Sequence, residues 1–295
     1  MAHAIISCKW PTMLGNKEDP MTIKDILVGL ATRDEADPAR DYALKMAAHY
    51  RAHVTGIAYA LAPEVTFSVY PAFVSSLADE YRTEANKAVA GARGRFEQAA
   101  RAASVEHAFE THTCSVQSAI TDFAFRLRTA DLGVVTQHET EKVDAFGDMF
   151  LESALFQAGR PLVIVPRGFQ GPFSLDRVLI AWDASIHATR AVAAAAPLLT
   201  AGAKIEVFTA EEASKGTGLR GSALAQNLRR HGLDAVLAER RDRDIPEAIV
   251  REIDSFRATL VVMGGYGHSR FREFVFGGAT RMILGRMPVP VLMAH

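Results

Sequence analysis

The chain has little of what would staple a secreted fold, hold a structural metal or cross a bilayer. Its 295 residues contain two cysteines, Cys8 and Cys114, with no Cys-x-x-Cys pair and no His/Cys cluster. That excludes a disulfide framework and a structural zinc site, and it fits a reducing, cytoplasmic setting. No apolar run approaches the roughly 18 residues of a spanning helix, so no membrane association is expected. Lys and Arg total 33 against 34 Asp and Glu, a net charge of -1. A nucleic-acid binder usually carries a basic excess, so nucleic acid is not an expected partner. The N-terminus, MAHAIISCKWPTMLGNKEDP, has only a short apolar stretch with no basic region before it, so it lacks the pattern of a signal peptide. Residues 1–20 read as a disordered extension or a start-site artefact, leaving Cys8 and Trp10 without a role. What the chain does have is 49% hydrophobic and 23% charged residues, the composition of a globular protein with a sizeable core, in one large or two ordinary domains.

Internal repetition decides between these. Ile23–Leu30 (IKDILVGL) matches Leu175–Trp182 (LDRVLIAW), each followed by an Asp-containing loop and an Ala-rich helix, near Asp37–Arg51 and His187–Leu199. His53–Tyr59 matches Ile205–Ala210, Ala130–Val135 matches Ala258–Met263, and Pro161–Val165 matches Pro290–Ala294. Matches recurring in one order imply a tandem repeat. Alternating strands and helices imply α/β architecture, with two doubly wound parallel sheets. Runs such as Leu162-Val163-Ile164-Val165 show no alternation because both faces are covered. The junction Pro166-Arg167-Gly168-Phe169-Gln170-Gly171-Pro172 is a linker by composition. The expected division is 21–167, a linker at 168–174, and 175–295. Residues 61–76 read as a loop, in which Phe67, Tyr70 and Phe73 cover the sheet or form a lid or partner surface. Leu77, Tyr81, Ala85, Ala88, Val89, Ala92 and Phe96 then recur at helical spacing, predicting a helix over Leu77–Ala103.

The last segment carries the chemistry. Leu260-Val261-Val262-Met263 is a buried-strand run that enters Gly264-x2-Gly267, and Gly277-Gly278 follow before a helical pattern at Met282, Ile283, Arg286 and Met287. A strand, a glycine loop and a helix start together make a phosphate cradle, because free N–H groups and the helix dipole favour an anion. The pattern is neither Walker A nor the Gly-x-Gly-x2-Gly fingerprint. The first copy lacks the loop: Thr136-Gln137-His138-Glu139-Thr140-Glu141 follows its strand. The bulk of Phe150-Leu151 and the charges of Glu139, Glu141 and Asp144 oppose a phosphate there.

The spacing Gly-x2-Gly-x9-Gly, with the closing strand Pro288-Val289-Pro290-Val291-Leu292-Met293, resembles the universal stress protein family. The resemblance implies an adenine nucleotide alpha hydrolase-like, Rossmann-like fold and a nucleotide, ATP or AMP, in the second unit, with Mg2+ accompanying ATP. Carried over by position, Asp183 contacts the sugar and base side and Thr209 or Phe208 borders the adenine. Gly264, Gly267 and Gly277 line ribose and phosphates, Thr280 gives a hydroxyl to a phosphate, and Met263 and Gly278 belong to the same nucleotide-binding set. Gly278 departs from the family's usual Ser or Thr. Asp183 and Thr280 also suit helix caps. The family pairs through its last strand, so Val163-Ile164-Val165 should lie near Val291-Leu292-Met293, leaving room for a homodimer between chains.

The function implied is a non-catalytic stress-response protein acting on a protein partner. Ser269 has no nucleophile elbow and His268 no evident acid partner, so no hydrolase site is read there. Arg270 and Arg272 read as solvated. A slow ATP hydrolase and a nucleotide-free interaction protein stand as alternatives. The arginines Arg229, Arg230, Arg240, Arg241 and Arg243 read as a solvated face. His112 and His138 read as isolated and His295 as a frayed end.

Overall fold

The computed structural model describes residues 23–32, 36–61, 71–137, 145–200, 202–211, 218–265 and 283–295. Its elements in chain order begin β1 (Asp25–Gly29), α1 (Pro38–Tyr50), β2 (His53–Leu61), α2 (Pro71–Ala102) and β3 (His107–Cys114). Next come α3 (Val116–Leu127), β4 (Leu132–Thr136), α4 (Ala145–Gln157) and β5 (Leu162–Val165). The second half has β6 (Arg177–Ala181), α5 (Ile186–Ala195) with a 3-10 turn at Ala196–Leu198, β7 (Lys204–Glu211) and α6 (Gly218–Arg230). It closes with β8 (Asp234–Arg241), α7 (Ile245–Phe256), β9 (Leu260–Gly264) and β10 (Val291–Ala294).

All the described strands join one sheet, in the order β3-β2-β1-β4-β5-β10-β9-β6-β7-β8. From the centre outward, each half therefore runs last strand, fourth, first, second, third. Every pairing is parallel except β5 with β10. At that seam Val291 faces Ile164, Leu292 faces Val163 and Met293 faces Leu162. The two sheets expected from sequence are thus continuous, and the apolar edges of β5 and β10 cover each other.

Alternate strand residues feed two cores, as a doubly wound sheet requires. Val178, Ile180 and Val207 pack with Ala191, Ala195 and Leu228 of α5 and α6. Leu179, Phe208 and Val261 pack with Ile249 and Ile253 of α7 on the other face.

Three local features go beyond the sequence reading. First, β3 (HAFETHTC) and β8 (DAVLAERR) are strands without a strand-like run, because they are the two sheet edges and carry polar side chains toward water. Second, α2 starts at Pro71, inside the stretch read as loop, where a proline is tolerated because a first-turn N–H has no helical partner. Its Val89, Ala92, Phe96 and Ala100 are buried, but Tyr81 is 56% exposed and is not core. Phe67 and Tyr70 lie outside the described residues, as does the side chain of Phe73. Third, the junction packs against α1. Phe169 and Phe173 meet Tyr42 edge-on at 5.9 and 5.4 Å, and Lys45 Nζ donates to Gly171 O at 2.9 Å. The Tyr50 hydroxyl, beside Phe173, donates to Leu198 O at 3.1 Å and so ties α1 to the second half.

Candidate functional site

In an open α/β sheet, ligands gather beyond the carboxyl ends of the strands where the strand order reverses. In the second half that point lies between β6 and β9, at the start of α5. Ala181 is in register with Phe208 of β7 and Met263 of β9. One residue further, Trp182 sits between Thr209 and Gly264, with Asp183 next along the chain. The structure therefore brings Asp183, Thr209, Met263 and Gly264 to one rim, though on two faces. Met263 joins the core under α7. Thr209, 6% exposed, turns toward α6, where a Cβ on Gly221 would come within 2.8 Å of its methyl. Gly267, Gly277, Gly278 and Thr280 lie outside the described residues.

At Gly264 the sheet closely approaches the start of α5. A Cβ there would fall 2.5 Å from Ala188 N and 2.7 Å from His187 C. Only glycine lets β9 end this near the α5 backbone. Asp183 is exposed and accepts from Ser185 N at 2.9 Å. Ser185 is the helix cap, its hydroxyl oxygen accepting from Ala188 N at 3.1 Å. The capping alternative for Asp183 is therefore corrected: its carboxylate orders the approach to the helix, one turn of chain earlier.

Between them Ala184 has φ 61°, in the left-handed region that costs a residue with a Cβ roughly 1–2 kcal/mol. Ala184→Gly is accordingly expected to raise stability by about 1 kcal/mol, read as a higher urea midpoint at unchanged slope. A lower midpoint would contradict this geometry.

Sequence reasoning missed two features of this rim. Trp182 Nε1 and His187 Nδ1 are buried without a hydrogen-bond partner among the described residues. His187 also stacks on His295 (4.1 Å, 25° between planes), and His295 meets Phe156 of α4 edge-on at 4.3 Å. Burial, then the neighbouring His187 and Arg190, lowers the pKa of His295. His295 is thus packed between the halves, not frayed. Nothing in its sequence position signals this, because the contact spans more than a hundred residues.

The matching rim of the first half is built differently. Thr136 ends β4 as Gly264 ends β9, and Leu30 follows β1 as Trp182 follows β6. Asp37 caps α1 and is 3% exposed. Its carboxylate accepts from Ala31 N at 2.9 Å, Arg40 N at 3.1 Å and the Thr136 hydroxyl at 3.4 Å. Thr136 Oγ1 in turn accepts from Ala39 N at 3.2 Å. Burial pushes the Asp37 pKa up, while the two backbone donors pull it down. The chain's own carboxylate and hydroxyl therefore bridge β1 to β4. Phe150 is buried against Phe123, ring centres 4.7 Å apart, with Leu151 buried beside it. His138, Glu139, Glu141 and Asp144 lie outside the described residues.

Elsewhere in this half His112 is not isolated: its Nε2 accepts from Arg126 at 2.6 Å, and Arg126 also pairs with Glu110 and, at 2.7 Å, with Asp122. In the second half Arg240 is not simply solvated, since it pairs with the buried Glu252. No group of three or more His, Cys, Asp or Glu among the described residues is placed to hold a metal. No described helix is long and apolar enough to cross a membrane.

A parallel sheet wound on both faces, with a glycine seating its switch-point strand on a helix start, defines a Rossmann-like α/β protein. Residues 174–295 match the model of the Universal stress protein family. Universal stress protein Slr1230 of Synechocystis is 25% identical over 144 residues, 48% of this chain and 49% of the relative. The chain thus spans about half the length of that curated relative. A universal stress protein from Archaeoglobus fulgidus superposes with a TM-score of 0.74 at 16% identity, covering 92% of this chain and 96% of its own. A putative universal stress protein from Pseudomonas aeruginosa gives 0.57 at 14% identity, over 92% and 93%. These likenesses are ones of fold.

Proposed function

We propose that the second half, residues 175–295, binds an adenine nucleotide (ATP or AMP) at the rim of β9, β6 and β7. The chain would then act as a non-catalytic, cytoplasmic stress-response regulator whose bound state governs a partner protein. The observation that carries this reading is the contrast between the rims. Asp37 and Thr136 fill the first, whereas the second has Gly264 against a helix start and the exposed carboxylate of Asp183. In this reading the first half, residues 21–167, takes no nucleotide in its cleft, and 168–174 is the strap between the two.

Asp183 addresses the sugar and base side, Thr209 at the end of β7 borders the base, and Met263 backs the rim from the core under α7. Gly264, Gly267, Gly277 and Gly278 let backbone N–H groups approach the phosphates. Thr280 supplies a hydroxyl, and Mg2+ enters with ATP on its phosphates. With Gly278 in place of a hydroxyl residue, one hydrogen bond to a charged group is lost, a cost of roughly 1.5–3 kcal/mol in affinity.

The test is mass spectrometry of small molecules released from the purified protein, with melting in added ATP and AMP. Ligand at 100 times its Kd should stabilise the fold by about 2.7 kcal/mol, and Asp183→Ala should shrink that gain. If nothing co-purifies and millimolar nucleotide leaves the melt unmoved, the reading gives way to a nucleotide-free interaction protein.

A further inference from the structure

On the α7 face of the second half, two glutamates meet. Glu206 of β7 is in register with Leu179 of β6 and Val236 of β8, and it points to the same face as Phe208, which packs under α7. Glu252 of α7 is 5% exposed. Arg240 of β8 occupies both oxygens of Glu252, Nε to Oε2 at 3.2 Å and Nη2 to Oε1 at 3.4 Å.

Glu206 has no such partner: its Oε1 is buried and unpaired among the described residues. Among the described residues, the charges facing it are Arg177 from β6, Arg240 from β8 and Glu252 from α7. Arg177 is engaged elsewhere, its Nε donating to Phe256 O and its guanidinium lying 4.5 Å over the Phe256 ring. Arg240 is committed to Glu252. The neighbour left within hydrogen-bonding reach of Glu206 is Glu252 itself. Ionised carboxylates only accept, so a direct hydrogen bond between two of them requires a proton on one.

We propose that Glu206 and Glu252 share one proton, with Glu206 as its carrier, and that this proton clamps α7 to β7 as a pH-sensitive joint. The joint is independent of nucleotide binding. It lies beneath the strands whose ends form the rim, since β7 carries both Glu206 and Thr209.

The pH dependence has a definite sign. Burial first, then the charge of Glu252, raises the Glu206 pKa above its ordinary value of 4.5. The folded protein therefore keeps a proton that the unfolded chain releases near that value. The stabilisation is complete below it and is lost as pH rises through the higher, folded value.

Two measurements on the intact protein test this: the carboxyl-carbon titration of glutamate-labelled protein by NMR, and hydrogen exchange of the Ile245–Phe256 amides in wild type and Glu206→Gln. The Glu206 resonance should titrate above those of exposed glutamates. In wild type, α7 protection, corrected for intrinsic exchange, should fall several-fold from mildly acidic to mildly alkaline pH. In Glu206→Gln, which keeps a donor and cannot ionise, it should stay level. A Glu206 that titrates with the exposed glutamates, or a variant with the wild-type pH profile, overturns the proposal. Should the variant not fold, the wild-type titration decides alone.

Discussion

Gly264→Val is expected to destabilise the protein by about 3 kcal/mol or more, at the upper end of overpacking costs, and to abolish the nucleotide binding proposed above. The reason is the identity of the atoms a side chain would meet. They are Ala188 N and His187 C, at 2.5 and 2.7 Å, which are backbone and cannot rotate aside. The start of α5 would have to lift off β9, taking with it the turn that Asp183 and Ser185 order. Urea unfolding should show a lower midpoint at unchanged slope, and calorimetry with ATP should show no heat. Gly264→Ala should move the same way by less. Near-wild-type stability in the valine variant would mean that β9 and α5 are not packed as described.

A larger loss is expected at the seam. Leu292 is fully buried opposite Val163, with strands on both sides. Leu292→Asp places a charge there with no partner, a class of change that costs more than about 4 kcal/mol. Leu292→Ala, which only opens a cavity, should cost about 2–5 kcal/mol. Circular dichroism melts and gel filtration read both: the aspartate variant should lose cooperative unfolding or fail to elute as a compact species. If it instead melts with wild-type cooperativity and midpoint, the two halves do not depend on β5 and β10 for their stability.

The two strands of the seam were legible in the sequence, and their pairing was implied by the family resemblance. Leu162–Val165 and Val291–Ala294 are buried on both faces and carry no alternation to obscure them. The edge strands were not legible. In β8 the sequence Glu239-Arg240-Arg241 looks like a solvated charge run, and the pairing of Arg240 with Glu252 depends on α7 returning across the sheet. Likewise, Asp37 reads as an ordinary helix cap, and the bond that makes it a bridge reaches Thr136, 99 positions away. The asymmetry between the halves was visible as a missing glycine loop, but the groups that fill the first rim were not. Gly264 was read as a residue that makes room for a ligand. The structure shows that it first makes room for a helix.

A homodimer imposes symmetry on its clefts: any substitution that blocks one blocks its twin. Here β5 and β10 belong to one polypeptide and already satisfy each other. Thr136 and Gly264 can therefore differ without conflict, and one lobe can serve as a permanent chaperone for the hydrophobic border of the other.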